Sequence, residues 1–258
     1  MREDLRVVLV QANLVWEDAQ ANRETIENLL MTQEGDVFVL PEMFSTGFSM
    51  KPSKLAEKEN GPSLKWMKKI AEEKDAAIVG SLIIEEDSKY YNRLFFVYPD
   101  GSFKRYNKRH LFTLAGEEKY YAQGDESIIV DYKEWKIKPL ICYDLRFPVW
   151  ARNTEGYDLL LFVANWPAKR SHAWSSLLIA RAIENQSYVI GVNRVGEDGG
   201  GIDHNGKSVV IGPLGENLLN FKDHQEVVKS VLLSSESLIQ TRDRFRFLQD
   251  ADGFKIIK

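Results

Sequence analysis

Apolar positions along this chain fall into short runs separated by longer stretches of helical period. Leu5 to Ala12 is rich in Val and Leu and reads as a strand. From Asp18 a polar–apolar pattern through Ile26, Leu29 and Leu30 suits an amphipathic helix that Gly35 stops. Val37 to Leu40 is the next strand. Gly61-Pro62-Ser63 then punctuates the chain before a helix with Leu64, Met67 and Ile70 on one face. Ala76 to Ile84 and Tyr91 to Tyr98 predict two strands, and Pro99-Asp100-Gly101-Ser102 predicts a turn into a third short strand, forming a hairpin. The segment from Asn107 to Gly124 has no sustained period and reads as a long loop, a feature that in compact domains is often functional.

The second half repeats the alternation. Strands are expected at Ser127 to Asp131, Ile137 to Ile141, Asp158 to Ala164 and Ser187 to Val192, and two more at Gly206 to Ile211 and Glu226 to Leu232. The turn Gly212-Pro213-Leu214-Gly215 separates those last two. Pro148 fits the first turn of a helix to about Asn153, because the first turn leaves its N–H groups unpaired anyway. Ser171 to Gln186 reads as a helix with Trp174, Leu177, Leu178, Ala182 and Ile183 on its apolar side. This alternation defines an α/β protein with hairpins mixed in.

Length and composition narrow the picture. A chain of 258 residues can bury roughly three quarters of its unfolded surface in one large domain. No Pro/Ser/Gly-rich linker or repeat marks a boundary, so a single domain over 1–258 is expected. The charge of −4 is mild and both signs are interspersed, which argues against nucleic acid or an anionic membrane as partner. No stretch approaches the ~20 apolar residues of a membrane span. One cysteine agrees with a reducing, cytoplasmic setting.

Three apolar runs end in residues with chemistry. Val37 to Leu40 runs into Pro41-Glu42, Ile137 to Ile141 into Cys142, and Leu159 to Ala164 into Asn165-Trp166-Pro167. In open α/β proteins ligands collect at the carboxyl ends of strands, so a thiol, a carboxylate and an amide are expected on one rim. A thiol near neutral pH is mostly protonated and needs a base, for which Glu42 is a candidate. Lys108 and the backbone N–H of Tyr143 are candidate donors to the developing oxyanion. Taken singly, each residue has a plainer reading. Lone cysteines are commonly small buried hydrophobes, Lys108 in Lys-Arg-His is a solvated charge, and Asn165 is a turn former. Asp144 and Arg146 read equally well as a local ion pair shaping the turn. The histidines at 110, 172, 204 and 224 compete with Glu42 for the role of base. No His pair with metal-ligand spacing and no second cysteine is present, so no metal site is expected. Gly199-Gly200-Gly201 reads as a flexible loop rather than a nucleotide fingerprint.

Taken together, the segments Leu40-Pro41-Glu42-Met43-Phe44, Tyr106 to Phe112 and Ile141 to Pro148 resemble the three signature blocks of the nitrilase (carbon–nitrogen hydrolase) superfamily, in order and spacing. Asn165-Trp166-Pro167 and Arg181 to Asn185 fit the same pattern. The resemblance covers nearly the whole chain. It implies a four-layer α-β-β-α sandwich, a homodimer paired through outer helices, and catalysis without metal or organic cofactor. It also implies Glu42 as general base, Lys108 as stabiliser of the tetrahedral intermediate and Cys142 as nucleophile. A second glutamate is implied in the loop: Glu117, seven residues before Gly124, with Glu118 as alternative. Tyr143, Arg146, Asn165 and Trp166 are candidate substrate contacts. Pro-Glu-Met-Phe, Lys-Arg-His-Leu-Phe, Cys-Tyr-Asp-Leu-Arg-Phe-Pro-Val-Trp and Val-Ala-Asn-Trp-Pro are most similar to the bacterial omega-amidase branch. That branch hydrolyses the terminal amide of 2-oxoglutaramate or 2-oxosuccinamate, small-molecule substrates whose far carboxylate needs a cation; Arg146 and Arg170 are candidates. Another amide or nitrile hydrolase of the superfamily, and a catalytically silent binding protein, are the alternatives.

Overall fold

The strand Leu5–Gln11 (β1) shows how the layers arise. Its side chains alternate between two cores, Val7 and Leu9 packing into one and Val8 and Val10 into the other. Both faces of the strand are therefore covered, as expected for an uninterrupted apolar run. The computed structural model describes residues 2–256; Met1, Ile257 and Lys258, at the ends of the expected 1–258 span, lie outside the described residues.

β1 pairs in parallel with Val37–Val39 (β2), and β2 with Ala77–Glu86 (β3). Lys89–Val97 (β4) and Phe103–Asn107 (β5) extend this sheet antiparallel on one side, and Val227–Leu233 (β14) pairs antiparallel with β1 on the other. The second sheet is built alike. Trp135–Ile141 (β7), Leu159–Ala164 (β8) and Tyr188–Asn193 (β9) are parallel, with Val130–Tyr132 (β6) at one edge and Val209–Ile211 (β12) and Asn217–Asn220 (β13) at the other. Each sheet has six strands.

One core joins inward residues of both sheets, such as Leu9, Val39, Val79 and Phe96 with Leu140, Leu161 and Val163. Ile26 and Leu30 of the helix Ala19–Leu30 (α1), with Leu64, Met67 and Ile70 of Pro62–Lys74 (α3), cover the outer face of the first sheet. Trp174, Leu178 and Ala182 of Ser171–Asn185 (α5) pack into the core of the second, with Leu177 against them, whereas Ile183, expected on the same side, is exposed. The result is the expected α-β-β-α sandwich.

The hairpin at Pro99–Ser102 is present, with the Gly101 N–H donating to Tyr98 O at 2.9 Å. A second, tighter hairpin joins β3 to β4 through Asp87 and Ser88, whose φ values of 50° and 60° match the twist of the flanking strands. Pro148 begins a helix as expected, but it ends at Ala151. The strand expected from Ser127 starts only at Val130. The one expected from Gly206 starts at Val209, because Gly206 and Lys207 are left-handed (φ 76° and 57°). The turn Gly199–Gly201 is the tip of a hairpin between Val195–Glu197 (β10) and Asp203–Asn205 (β11). The helix Ser235–Arg244 gave no apolar period because it buries only Ser235 and Leu238; Ser234 Oγ caps it by accepting from Ser237 N at 3.2 Å. The long loop 108–124 contains two short 3-10 turns, Thr113–Ala115 and Glu117–Lys119.

Candidate active site

Glu42 lies just beyond β2 in a turn where Met43 takes φ 43° and donates its N–H to Ser81 Oγ at 2.8 Å. The carboxylate is fully buried and accepts three hydrogen bonds. Asn92 Nδ2 and Lys108 Nζ donate to Oε1 at 2.8 and 2.9 Å, and the Asn165 N–H donates to Oε2 at 2.8 Å. Asn165 Nδ2 also donates to the Glu42 carbonyl at 2.5 Å. Lys108 follows β5, its N–H held by Asn92 O and its carbonyl by Gly124 N, both at 2.9 Å. Gly124 approaches so closely that a Cβ there would lie 2.2 Å from Asn107 O, so only glycine fits.

Of the two adjacent glutamates, Glu117 is the one that faces Lys108. It is buried and receives Lys108 Nζ at 3.1 and 3.0 Å on its two oxygens, while Phe112 N donates to Oε2 at 2.6 Å. Glu118 is exposed. Burial pushes the Lys108 ammonium toward losing its proton, but Glu117 and Glu42 outweigh this and raise its pKa above the ordinary lysine value. Burial also raises the Glu117 pKa, Lys108 opposing it.

Cys142 follows β7 directly and opens the 3-10 turn Cys142–Arg146 with φ 44°. A left-handed non-glycine residue costs on the order of 1–3 kcal/mol, a strain that collects at functional sites. Burial, and then the Glu42 charge, raise the thiol pKa well above its ordinary 9.0, against the pull of Lys108. The resting sulfur is therefore held as a thiol, with the Glu42 carboxylate beside it. Among the histidines, His110 is turned to Asp144 (Nδ1 to Oδ1 2.8 Å). His204 sits in the cavity wall, its pKa lowered by burial and by Arg194.

A cavity surrounds these groups, lined by Glu42, Lys108, Cys142, Tyr143, Arg146, Asn165 and Trp166. All four residues expected to touch substrate therefore share it with Cys142. Sequence reasoning missed its apolar wall, Phe48, Phe112 and Ile202, and its one distant carboxylate, Asp198. Lys108 Nζ lies 5.0 Å from the Phe48 ring centre. Arg146 sits over Trp166 and Arg170 over Phe112, each at 5.0 Å. Among the described residues neither guanidinium is paired with a carboxylate, so of the two even readings of Asp144 and Arg146 the local ion pair is not formed: Asp144 is engaged by Tyr106, His110 and the Ile141 N–H instead. Asn92 was also missed; its signal was a polar residue placed to face inward in an apolar strand.

The model of the carbon-nitrogen hydrolase family matches residues 6–243. The chain belongs to the carbon–nitrogen hydrolase family. The hydrolase is 46% identical to omega-amidase YafV of Escherichia coli (strain K12) over 98% of each chain. It is 36% identical to the 2-oxoglutaramate amidase of Bacillus subtilis (strain 168), over 80% of this chain and 81% of that one. Its fold superposes on a CN-hydrolase superfamily protein of Xanthomonas campestris, solved with an arsenic adduct in its active site. The TM-score is 0.96 with 41% identity, over 98% of this hydrolase and 99% of that chain.

Proposed function

We propose that this hydrolase is an omega-amidase that cleaves the terminal amide of 2-oxoglutaramate or 2-oxosuccinamate to the 2-oxo dicarboxylate and ammonia. The observation that carries this reading is the cavity itself: one space holds the Glu42–Lys108–Cys142 group and two guanidiniums, Arg146 and Arg170, free of carboxylate partners among the described residues. A monoamide of a dicarboxylic acid has the matching ends, an amide for the thiol and a carboxylate for the cations. The Escherichia coli and Bacillus subtilis relatives support the same substrate class.

In the proposed reaction, Cys142 Sγ attacks the amide carbon as Glu42 takes the thiol proton. Lys108 Nζ and the Tyr143 N–H hold the oxyanion. Collapse of the tetrahedral adduct breaks the C–N bond, and Glu42 returns the proton to the leaving ammonia. Water, deprotonated by Glu42, then attacks the thioester and restores the thiol. Glu117 holds Lys108 charged and in place, and Asn165 and Trp166 shape the substrate side. No metal or organic cofactor enters this scheme.

The whole chain acts as one domain in this reading, in the cytoplasm, as a homodimer. Exposed Ile179 and Ile183 on the outer face of α5, beside exposed Leu214, support the pairing surface.

Ammonia release from 2-oxoglutaramate by the wild type, abolished in Cys142→Ala and Glu42→Gln, is the expected result. Turnover of simple aliphatic amides, carbamoyl amino acids or nitriles in preference to the keto-amide would replace the substrate assignment with another chemistry of the superfamily. Absence of turnover on every amide and nitrile would leave a binding protein.

A further inference from the structure

Asp144 is fully buried and has no lysine or arginine partner among the described residues, yet its two oxygens receive four donors. Oδ2 accepts from the Ile141 N–H at 3.0 Å and from Tyr106 OH at 2.8 Å. Oδ1 accepts from the His110 N–H at 3.0 Å and faces His110 Nδ1 at 2.8 Å. These donors come from two separate pieces of chain. Ile141 immediately precedes the nucleophile, whereas Tyr106 and His110 stand two residues to either side of Lys108. Tyr106 OH itself accepts from Arg109 N at 3.1 Å and Trp150 Nε1 at 3.0 Å, so the lysine segment is held along its length. The His110 ring stacks on Phe147 with centroids 3.7 Å apart, which fixes its second attachment to the nucleophile turn.

We propose that Asp144 is a positioning residue that couples the nucleophile turn to the lysine segment and thereby sets where Cys142 stands relative to Lys108. The proposal rests on the assignment of Cys142 and Lys108 made above. A cap for the 3-10 turn would require only the bond from Ile141. The three further bonds reach across to the segment that carries the lysine, one to Tyr106 in β5 and two to His110 in the loop that follows it. A carboxylate is needed because donors converge on both oxygens; an amide would present its own N–H groups to one pair of them. Cys142 holds a left-handed conformation that the chain does not prefer. Loosening this clamp lets the residue relax and carries its sulfur off the line between Glu42 and the oxyanion donors. Displacement of a reacting atom by about 1 Å can cost about 100-fold in rate.

Asp144→Asn tests the clamp directly. Tyr106→Phe and His110→Ala each remove one side-chain donor and keep the question open if Asp144→Asn does not fold. Three quantities are read for each variant: the melting temperature, kcat and KM on the amide the wild type turns over, and the rate at which iodoacetamide alkylates Cys142. That cysteine is the chain's only one, so the label is unambiguous. The expected result is kcat and alkylation each slowed by about tenfold in Tyr106→Phe and His110→Ala, and about 100-fold in Asp144→Asn and in the double variant Tyr106→Phe/His110→Ala, with KM nearly unchanged. Lowered melting temperatures with wild-type kcat and alkylation rates would overturn the proposal and leave Asp144 a purely structural cap. Turnover surviving in Cys142→Ala would instead overturn the nucleophile assignment, a failure separable from this one because alkylation reads Cys142 itself.

Discussion

Glu42, Lys108 and Glu117 are 0%, 1% and 0% exposed and bond to one another, whereas Arg146 and Arg170 are half-buried over aromatic rings with no carboxylate on either. The two groups hold charge in the same cavity by opposite means. In the buried cluster one ammonium is shared by two carboxylates, each of which also accepts a backbone N–H, so the groups need little reorganisation when charge moves. At the guanidiniums the balancing charge is left to be supplied, and the ring faces orient the cations without satisfying them. In the proposed reaction the contrast separates machinery, which must be complete before substrate arrives, from recognition, which is completed by substrate.

The largest effect short of replacing Cys142 or Glu42 is expected from Lys108→Met. It leaves two buried carboxylates facing each other without a cation, so kcat should fall about 100- to 1,000-fold and stability by about 3–5 kcal/mol. Steady-state kinetics and denaturant melts check both. If only kcat fell, the cluster would not be the coupled unit described.

Next come Arg146→Gln and Arg170→Gln. Each is expected to raise KM for an amide with a distal carboxylate by about 10- to 100-fold, the worth of one charge-assisted hydrogen bond, while kcat and the turnover of an uncharged aliphatic amide stay near wild type. An equal loss on both substrates would erase the distinction between the two groups.

A smaller but sharper effect concerns proton affinity. Burial and the Glu42 charge hold the Cys142 thiol protonated, so in the wild type the pH-rate profile for alkylation should rise only above the ordinary 9.0. A thiol is an acid, so removing a neighbouring negative charge lowers its pKa. Glu42→Gln, with Lys108 still cationic, should therefore shift the profile to lower pH even as amide turnover is lost. The smallest effect is expected from Glu118→Gln. That side chain is exposed one residue away from Glu117, so melting temperature and kcat should both stay near wild type.

The positions of chemistry were legible because apolar runs have to stop. The runs ending at Leu40, Ile141 and Ala164 placed Glu42, Cys142 and Asn165 at strand ends, and the parallel register of β7 with β8 brings two of those ends side by side. The lysine segment was legible as an aperiodic stretch, although its two 3-10 turns were not. Elements with weak amphipathicity escaped, as the helix Ser235–Arg244 did.

The sequence by itself determined the α/β alternation and the residue types carrying the chemistry, because strand period and strand termination are local properties written within a few residues. Only the tertiary structure decided which of two adjacent glutamates turns inward to Lys108. It also decided that Asn92 reaches Glu42 across 50 positions and Asn165 across 123, and that Asp144 binds the lysine segment rather than Arg146. Those pairings follow from how two sheets register and stack: a hydrogen bond between distant residues exists only once the packed cores have fixed the separation of the strands that carry them.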